Sequence, residues 1–230
     1  MRFFNKDYIY LVWQNPKTRS KTVVGLLKRN GRYEFKYTND AKKAIKEGFQ
    51  LLLAFPKIDK KYTNEMMFPV FSSRLPSKNR VDIDDILKRY NMKEYDEFEL
   101  LKRTGAKTPL DTLEFIDPIV NLKEKNLTRE FFIAGTKYYC KEENHKDINI
   151  GDKVVLEPDS KNEFDKYAIK MVIKDKFVGF IPKYYSKEVN IFLKQNKAYS
   201  CKVINKNNIY GNCNECIKVR LVLNVEGSNT

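Results

Sequence analysis

The sequence is poor in the residues that most enzymatic chemistry requires. A single histidine, His145, occurs among 230 residues, within the polar segment KEENHKD. One exposed histidine cannot complete a Ser-His-Asp or Cys-His set. Neither a GxxxxGKS/T nor a GxGxxG phosphate-binding loop is present. We therefore predict that the protein is not an enzyme. A hydrolase or nuclease is the alternative, and it would need an acidic metal-binding cluster that the sequence does not display.

Cysteines and long apolar segments are scarce as well. Four cysteines are too few for a disulfide-stabilised scaffold of this length. No uninterrupted apolar run approaches the roughly 18 residues that suggest a membrane span. The N-terminal apolar segment is broken by Asn5, Lys6 and Asp7, which does not fit a signal peptide. These features predict a cytoplasmic protein with no membrane partner.

Basic residues, by contrast, are abundant. The chain has 44 Lys and Arg against 30 Asp and Glu, which gives a net charge of +14. Residues 1–61 carry +10 of this charge, residues 62–127 carry −1 and residues 128–230 carry +5. A soluble chain with this excess usually meets a polyanion. The alternative is a solvated lysine-rich surface without a partner, as is found in proteins of AT-rich bacteria.

Apolar periodicity predicts an α+β fold for the first half of the chain. The turn dipeptide Asn30-Gly31 separates two strand patterns. A helix is expected to begin at Asn39 or Asp40 and to end at Gly48. A second pattern, with Asp96 as N-cap, is expected to end at Gly105. We predict strands at 8–13, 22–27, 32–37, 51–56 and 112–116, and helices at 38–48, 82–90 and 96–103.

The second half is predicted to be mostly β-structure. Residues 118–130 have no clean period, so we place a domain boundary there. Predicted domains are 1–120 and 128–227. Lys174-Asp175 is expected to form a tight hairpin, and one helix at 186–195 is expected to be capped by Ser186. The predicted strands lie at 131–135, 152–157, 166–173, 176–181, 198–206 and 216–225, a pattern that favours a small closed or half-closed barrel.

A recurring set of residues lies in the second half of the chain: Gly135, Tyr138, Tyr139, the stretch 151–156, Asn162, Phe164, Asp165, Ala168, Ile169, Val178 and Gly179. With these residues at this spacing, the segment 128–226 resembles the HIRAN domain, which occurs fused to helicase-like remodelers in eukaryotes and as small bacterial proteins. The resemblance implies an OB-like β-barrel, with flanking helices, that binds single-stranded DNA and in particular its free 3′ end.

The resemblance also implies roles for individual residues. Tyr138 and Phe164 would stack on terminal bases, Lys137 would meet a phosphate, and Asp165 would accept a hydrogen bond from a terminal 3′-hydroxyl. The sequence departs from the family pattern where Glu163 replaces a proline, Phe164 replaces a tyrosine and Lys137 replaces an arginine. The complete candidate set for nucleic-acid binding is Lys137, Tyr138, Tyr139, Asn162, Phe164, Asp165, Phe180 and Lys183.

Each candidate also has a structural interpretation. Tyr138 and Tyr139 are expected to be neighbours in a strand, where their side chains would point to opposite faces, one into the core and one free. Asn162 and Asp165 fit a turn in which their side chains bond to the backbone. Lys183 follows the Val-Gly-Phe-Ile-Pro strand and fits either a binding groove or a solvated helix start.

The first half of the chain contains a second set of motifs: Tyr33–Tyr37, Leu51–Pro56, Phe68–Pro76, Phe98–Leu101 and Thr104-Gly105. With these motifs, residues 8–117 resemble the small N-terminal subdomain of HipA-type toxin kinases. In that family the subdomain has no active site and packs on a kinase core or on a DNA-binding antitoxin. The chain has no kinase core of its own. An interaction subunit that docks on a HipA-like kinase or on a DNA-binding antitoxin is therefore the alternative to DNA binding. A kinase or a helicase-type protein is the protein partner that we consider.

We predict no cofactor, with zinc as the alternative. Cys213 and Cys216 form a lone CxxC pair, whereas structural zinc usually takes its four ligands from two such pairs. Cys140, Cys201 and His145 are scattered candidates for the remaining ligands. Taken together, the sequence favours a non-catalytic protein that binds single-stranded DNA or DNA ends by stacking and phosphate neutralisation, as a DNA-targeting or adaptor protein.

Overall fold

The structure is a computed structural model that describes residues 7–119, 126–207 and 215–224. The chain divides into two compact units, Met1–Pro118 and Ile119–Thr230. Each unit has its own sheets, so the fold class is α+β, as the sequence predicts. Among the described residues, no helix has the length and apolar character needed to cross a membrane.

The first unit is built on one five-stranded antiparallel sheet. The strands are β1 (Asp7–Gln14), β2 (Lys21–Arg29), β3 (Tyr33–Tyr37), β4 (Tyr62–Asn64) and β5 (Leu113–Ile116), in the order β4-β3-β2-β1-β5. The helices are α1 (Asn39–Lys46), α2 (Pro69–Ser72), α3 (Ile83–Arg89) and α4 (Glu97–Thr104). Thr38, not Asn39 or Asp40, precedes α1 as its N-cap residue.

Aromatic rings fill the core of the first unit. Phe35 stacks on Phe55 with 4.4 Å between ring centroids, and Phe71 lies 5.3 Å from Phe35 and 5.0 Å from Phe115. At the edge of this core, Arg29 bonds Asp96, which in turn caps α4 by accepting the Glu99 backbone N–H at 2.9 Å. The predicted start of α4 at Asp96 is therefore confirmed.

The predicted strand at 51–56 is wrong, because this segment is an irregular loop. Phe55 is buried, whereas Leu53 is 98% exposed. The Tyr37 hydroxyl accepts the Leu52 N–H at 2.9 Å and donates to the Phe55 carbonyl at 3.1 Å. One side chain thus satisfies backbone groups that a neighbouring strand would otherwise pair, and burial raises the pKa of Tyr37 to about 12.

The second unit contains two three-stranded sheets. One has the order β10-β11-β6 and the other β7-β8-β9. The strands are β6 (Asn126–Phe132), β7 (Val155–Pro158), β8 (Ile169–Ile173), β9 (Lys176–Phe180), β10 (Tyr199–Lys206) and β11 (Ile217–Asn224); the helices are α5 (Thr136–Tyr139), α6 (Glu142–Asp147) and α7 (Lys183–Leu193). Lys174 and Asp175 both have positive φ and form the predicted hairpin.

Two backbone bridges join these sheets. Ala134, two residues after β6, pairs with Phe180, the last residue of β9, through reciprocal N–H···O bonds of 2.8 and 2.9 Å. Lys153 pairs with Lys202 between the start of the β7 segment and β10. The first bridge depends on Gly179 (φ +147°), because an added Cβ there would lie 2.5 Å from the Ala134 carbonyl oxygen.

His145 is buried within α6, which corrects the predicted exposed loop. The segment closes into a short helix because the Lys206 ammonium donates to the carbonyl oxygens of His145, Lys146 and Ile148 at 3.1, 3.4 and 2.7 Å. A helix end leaves such carbonyls without intrahelical partners. Burial first, and then the Lys206 charge, hold the pKa of His145 below its ordinary value.

Replacing Gly179 with alanine should destabilise the second unit by about 2–4 kcal/mol, since left-handed strain and overpacking against Ala134 both contribute. Gly151→Ala is the matched control, because Gly151 also has positive φ (+94°) but has open space around it; it should cost about 1 kcal/mol. Urea unfolding followed by far-UV circular dichroism measures both. Equal losses in the two variants would show that the bridge does not need the glycine.

The only histidine provides a pH test of the fold. In the unfolded chain its pKa is about 6.5, and in the folded protein it is lower. As the pH falls, His145 therefore gains a proton in the unfolded state before it does so in the folded state. The free energy of unfolding is thus at its full value above about pH 6.5 and decreases as the pH drops below it. Proton NMR titration of the single imidazole measures the folded value, and His145→Gln should reduce the acid-side loss. A folded pKa at or above 6.5 would contradict burial of this ring.

Candidate nucleic-acid interface

Tyr138 and Tyr139 lie in the helical turn α5 and not in a strand, so the predicted alternation across a strand is wrong. Gly135 (φ +77°) reverses the chain directly after the Ala134–Phe180 bridge. Its carbonyl accepts the backbone N–H groups of Tyr138 and Tyr139 at 2.9 and 3.2 Å. Gly135 explains why the strand stops before the two tyrosines, because glycine readily adopts the positive φ that ends a strand.

The two tyrosines of α5 have different environments. Tyr139 packs on the rings of Phe177 and Phe180, with centroids 4.8 and 5.3 Å away, and is half-exposed. Tyr138 is 72% exposed. The Lys137 ammonium lies 6.0 Å from the Tyr138 ring centroid. Phe180 therefore supports a neighbouring ring, whereas Tyr138 presents a free ring face beside a cation.

The segment between β7 and β8 forms the predicted Asn-Glu-Phe-Asp turn. The Asn162 side-chain oxygen accepts the backbone N–H groups of Phe164 and Asp165, both at 3.0 Å. Asn162 therefore acts as a turn former, one of its two predicted interpretations. The turn holds the Phe164 ring outward, where it is 87% exposed, and Glu163 is exposed beside it.

Asp165 is fixed by two hydrogen bonds within the protein. One carboxylate oxygen accepts the Tyr167 N–H at 2.9 Å, and the other accepts the Ser186 hydroxyl at 2.6 Å. Ser186 is therefore not the N-cap of α7, which begins three residues earlier at Lys183 after Pro182. Each carboxylate oxygen has a second lone pair, so Asp165 retains acceptor capacity for a ligand.

Strand pairing brings these segments to one end of the β8–β9 pair. Lys170 at the start of β8 lies opposite Phe180 at the end of β9. The Asn162–Asp165 turn precedes β8, α7 follows β9, and the Ala134–Phe180 bridge brings α5 to the same strand end. The Lys183 ammonium also donates to the Phe164 carbonyl at 3.4 Å. Seven of the eight candidate residues thus lie on three connections at one end of the β8–β9 pair, and the eighth, Phe180, is the last residue of β9.

Two residues that position this site were not predicted as its members. Ser186 holds Asp165, and Phe177 supports Tyr139 from β9. Phe177 and Phe180 are three positions apart, yet their centroids are 5.1 Å apart, because the β8–β9 register shifts between Met171 and Val172. In a regular strand, residues three positions apart point to opposite faces, so the sequence alone does not indicate that these two rings are in contact.

The zinc alternative gains no geometric support from the described part of the chain. No group of three or more His, Cys, Asp or Glu side chains there is arranged to hold a metal ion. Cys140 and Cys201 are buried, and burial raises the pKa of Cys201 to about 12. Cys216 is buried and disulfide-bonded, and Cys213 lies outside the described residues.

Among solved structures, the HIRAN domain of human HLTF shares 20% identity with the chain. The match covers 43% of this chain and 74% of that one, with a TM-score of 0.33. A protein from Lactobacillus plantarum shares 16% identity over 43% of this chain and 96% of its own, with a TM-score of 0.35. No curated protein matches the chain.

Two family models match separate parts of the sequence. The first matches residues 18–109, which lie in the five-stranded unit, and the second matches residues 127–224, which include every predicted nucleic-acid-binding residue. Both matches agree with the resemblances identified from sequence motifs. Residues 18–109 match the HipA N-terminal domain, and residues 127–224, with the exposed rings and their neighbouring cations, match the HIRAN domain.

Proposed function

We propose that the second unit binds single-stranded DNA, preferentially at a 3′ end, by base stacking and phosphate neutralisation. The observation that carries the proposal is the exposure of two large rings, Tyr138 at 72% and Phe164 at 87%. Burying an aromatic side chain is normally favourable, so two rings left open at one end of a domain suit a flat ligand. Each stacked base contributes roughly 1–3 kcal/mol.

A cation lies near each of these two exposed residues. Lys137 is close to the Tyr138 ring, and Lys183 reaches the backbone of Phe164. This pairing of a ring with an ammonium group fits a nucleotide, in which a planar base is joined to a negative phosphate. Lysine acts here as a point charge without the bidentate fork of arginine, so these contacts favour affinity over a fixed phosphate orientation.

The proposal for end recognition rests on Asp165. Its carboxylate is held in place by Tyr167 and Ser186 and keeps a lone pair on each oxygen. A terminal 3′-hydroxyl can donate to such a fixed acceptor. A 3′-phosphate in the same position would bring negative charge to the carboxylate, with Glu163 nearby in the same turn, and would be repelled.

We infer that the six strands of this unit form a closed barrel. The two sheets are linked through Ala134–Phe180 and through Lys153–Lys202, and closed barrels of short strands are common platforms for nucleic-acid binding. A closed circuit would keep α5, the Asn162–Asp165 turn and the start of α7 in fixed relative positions. No part of this proposal requires catalysis, and we propose that the protein targets or tethers other factors to DNA.

The double substitution Tyr138→Ala and Phe164→Ala should weaken binding to single-stranded DNA at least about tenfold, given the stacking energy per base. Fluorescence anisotropy with a 3′-hydroxyl oligonucleotide measures the change. Leu53→Ala with Leu110→Ala is the control, because both leucines are more than 90% exposed in the first unit. Unchanged affinity in the ring variant would refute the site, and DNA cleavage in the presence of Mg²⁺ would refute the non-catalytic role.

The alternative function is docking of a HipA-type kinase through the first unit. It is favoured by the match of residues 18–109 and by an open groove of about 790 Å³ in that unit. The groove is lined partly by Pro69, Ser72, Ser73, Leu75 and Pro76, which belong to the Phe68–Pro76 segment that carries the family resemblance.

Filling the groove tests this alternative. Ser73→Trp should abolish co-elution with a purified HipA-type kinase core in size-exclusion chromatography, whereas Leu110→Trp, at an exposed position that does not line the groove, should leave it intact. Because the substitution lies in the first unit, binding of single-stranded DNA should be unchanged. If the wild-type protein does not co-elute with the kinase, or if Ser73→Trp still does, this groove is not a kinase-docking site.

A further inference from the structure

A row of like charges crosses the outer face of the second unit. Lys153 is bridged to Lys202, Lys202 lies opposite Arg220, and Arg220 lies opposite Glu130. Directly opposed residues of antiparallel strands point to the same face and lie close together. Their neighbours on the strands, Cys201 and Leu221, are buried. Three cations and one carboxylate therefore form a line on the surface away from the core.

Only part of this charge is neutralised within the protein. Glu130 accepts hydrogen bonds from Arg220 at 2.8 and 2.9 Å and from Lys218 at 3.1 Å. Among the described residues, Lys153 and Lys202 have no acidic partner within ion-pair distance. Like charges placed directly opposite each other destabilise a sheet. The arrangement thus has a standing electrostatic cost that an external anion would remove.

We propose that this cation row binds the phosphate backbone of duplex DNA next to the single-stranded end, an inference that rests on the proposed function. The row consists of Lys153, Lys202 and Arg220, with Lys218 beside it. The row itself is made only of charged side chains, and the neighbouring ring, Phe132 opposite Lys218, is partly buried, so the row suits backbone contact rather than base contact. Duplex DNA has a higher linear charge density than single-stranded DNA and releases more counterions per neutralised phosphate.

The position of the row fits a junction between duplex and single strand. Glu130, the carboxylate at one end of the line, precedes Ala134 by four residues on the β6 segment, which corresponds to about 13 Å at the usual rise per residue. Arg220 lies one strand farther across the sheet and Lys202 two strands farther, at about 5 Å per strand. Ala134 leads directly into α5 and its exposed tyrosine. A strand whose 3′ end reaches Tyr138 can therefore continue into a duplex whose phosphates lie along the row. The unit would then read the end of a recessed or overhanging strand.

The test compares two probes. One is a single strand of about eight nucleotides, within the site sizes of OB folds, and the other is a hairpin duplex that carries the same strand as a 3′ overhang. Lys153→Gln with Lys202→Gln should weaken binding of the overhang hairpin roughly tenfold and lower its log–log salt slope by about 2, at about 0.9 per phosphate contact. Affinity for the single strand should change less than about twofold.

Charge-matched and site-matched controls separate the outcomes. Lys36→Gln with Lys46→Gln removes the same charge from exposed positions of the first unit and should leave both affinities unchanged. Tyr138→Ala with Phe164→Ala should weaken binding of both probes. If the row variant binds the hairpin like the wild-type protein, the inference is wrong while single-strand binding still supports the proposed function. If the row variant weakens both probes equally, the row is not a duplex site. If the wild-type protein binds neither probe, the proposed function itself fails.

The free energy of unfolding separates a binding role of the row from a structural role. Removing one of two opposed like charges should leave the urea midpoint of Lys202→Gln unchanged or raise it slightly. A variant that loses hairpin affinity and keeps its stability identifies a binding residue. A clear fall in stability, together with lost affinity, would mean that the lysine supports the sheet and would contradict the inference.

Discussion

The close backbone contact between Ala134 and Phe180 is the constraint on which the candidate site depends. It joins the two sheets of the second unit, and it is allowed only because residue 179 has no Cβ. Directly after Ala134, Gly135 turns the chain into α5, and directly after Phe180 the chain enters α7. One pair of hydrogen bonds therefore sets the distance between the exposed tyrosine and the first lysine of α7. A change that opens this bridge would separate the binding residues without altering any of them.

The site combines rigid backbone with exposed rings. The Asn162 and Asp165 side chains hold the turn through three hydrogen bonds to backbone N–H groups. The turn keeps the Phe164 ring exposed to solvent, so the ring is not buried in the core. Tyr139 and Phe180 pack on Phe177 and supply a firm base beneath α5. A preorganised site loses less conformational entropy when a ligand binds. The interpretation of Asn162 as a turn former is therefore compatible with a binding role for the turn, because the turn is what presents the ring.

Local signals in the sequence predicted local structure well. Asp96 as a helix cap, Gly105 as a helix end and the Lys174-Asp175 hairpin depend on a few neighbouring residues, and the structure has all three. Two of the errors lie where distant residues decide, whereas the wrong cap at Ser186 and the wrong strand at Tyr138 and Tyr139 are local. The segment 51–56 is held by the Tyr37 hydroxyl, and the backbone carbonyls at the end of the helix that contains His145 are bonded by Lys206, about sixty residues away in sequence. The strand predicted through Tyr138 and Tyr139 failed because a positive-φ glycine ended it.

The location of unneutralised charge also depends on residues that are distant in sequence. Residues 1–61 have the largest excess of cations, yet several of these are paired: Lys21 with Glu114, Arg29 with Asp7 and Asp96, and Lys42 with Asp59. Exposed pairs of this kind add little stability, but they lower the potential that a polyanion meets. The second unit has a smaller net charge, and it places Lys153 opposite Lys202 without an acidic partner among the described residues. Net charge along the sequence therefore indicates that a polyanion is a plausible ligand, whereas strand register indicates where the unneutralised charge lies.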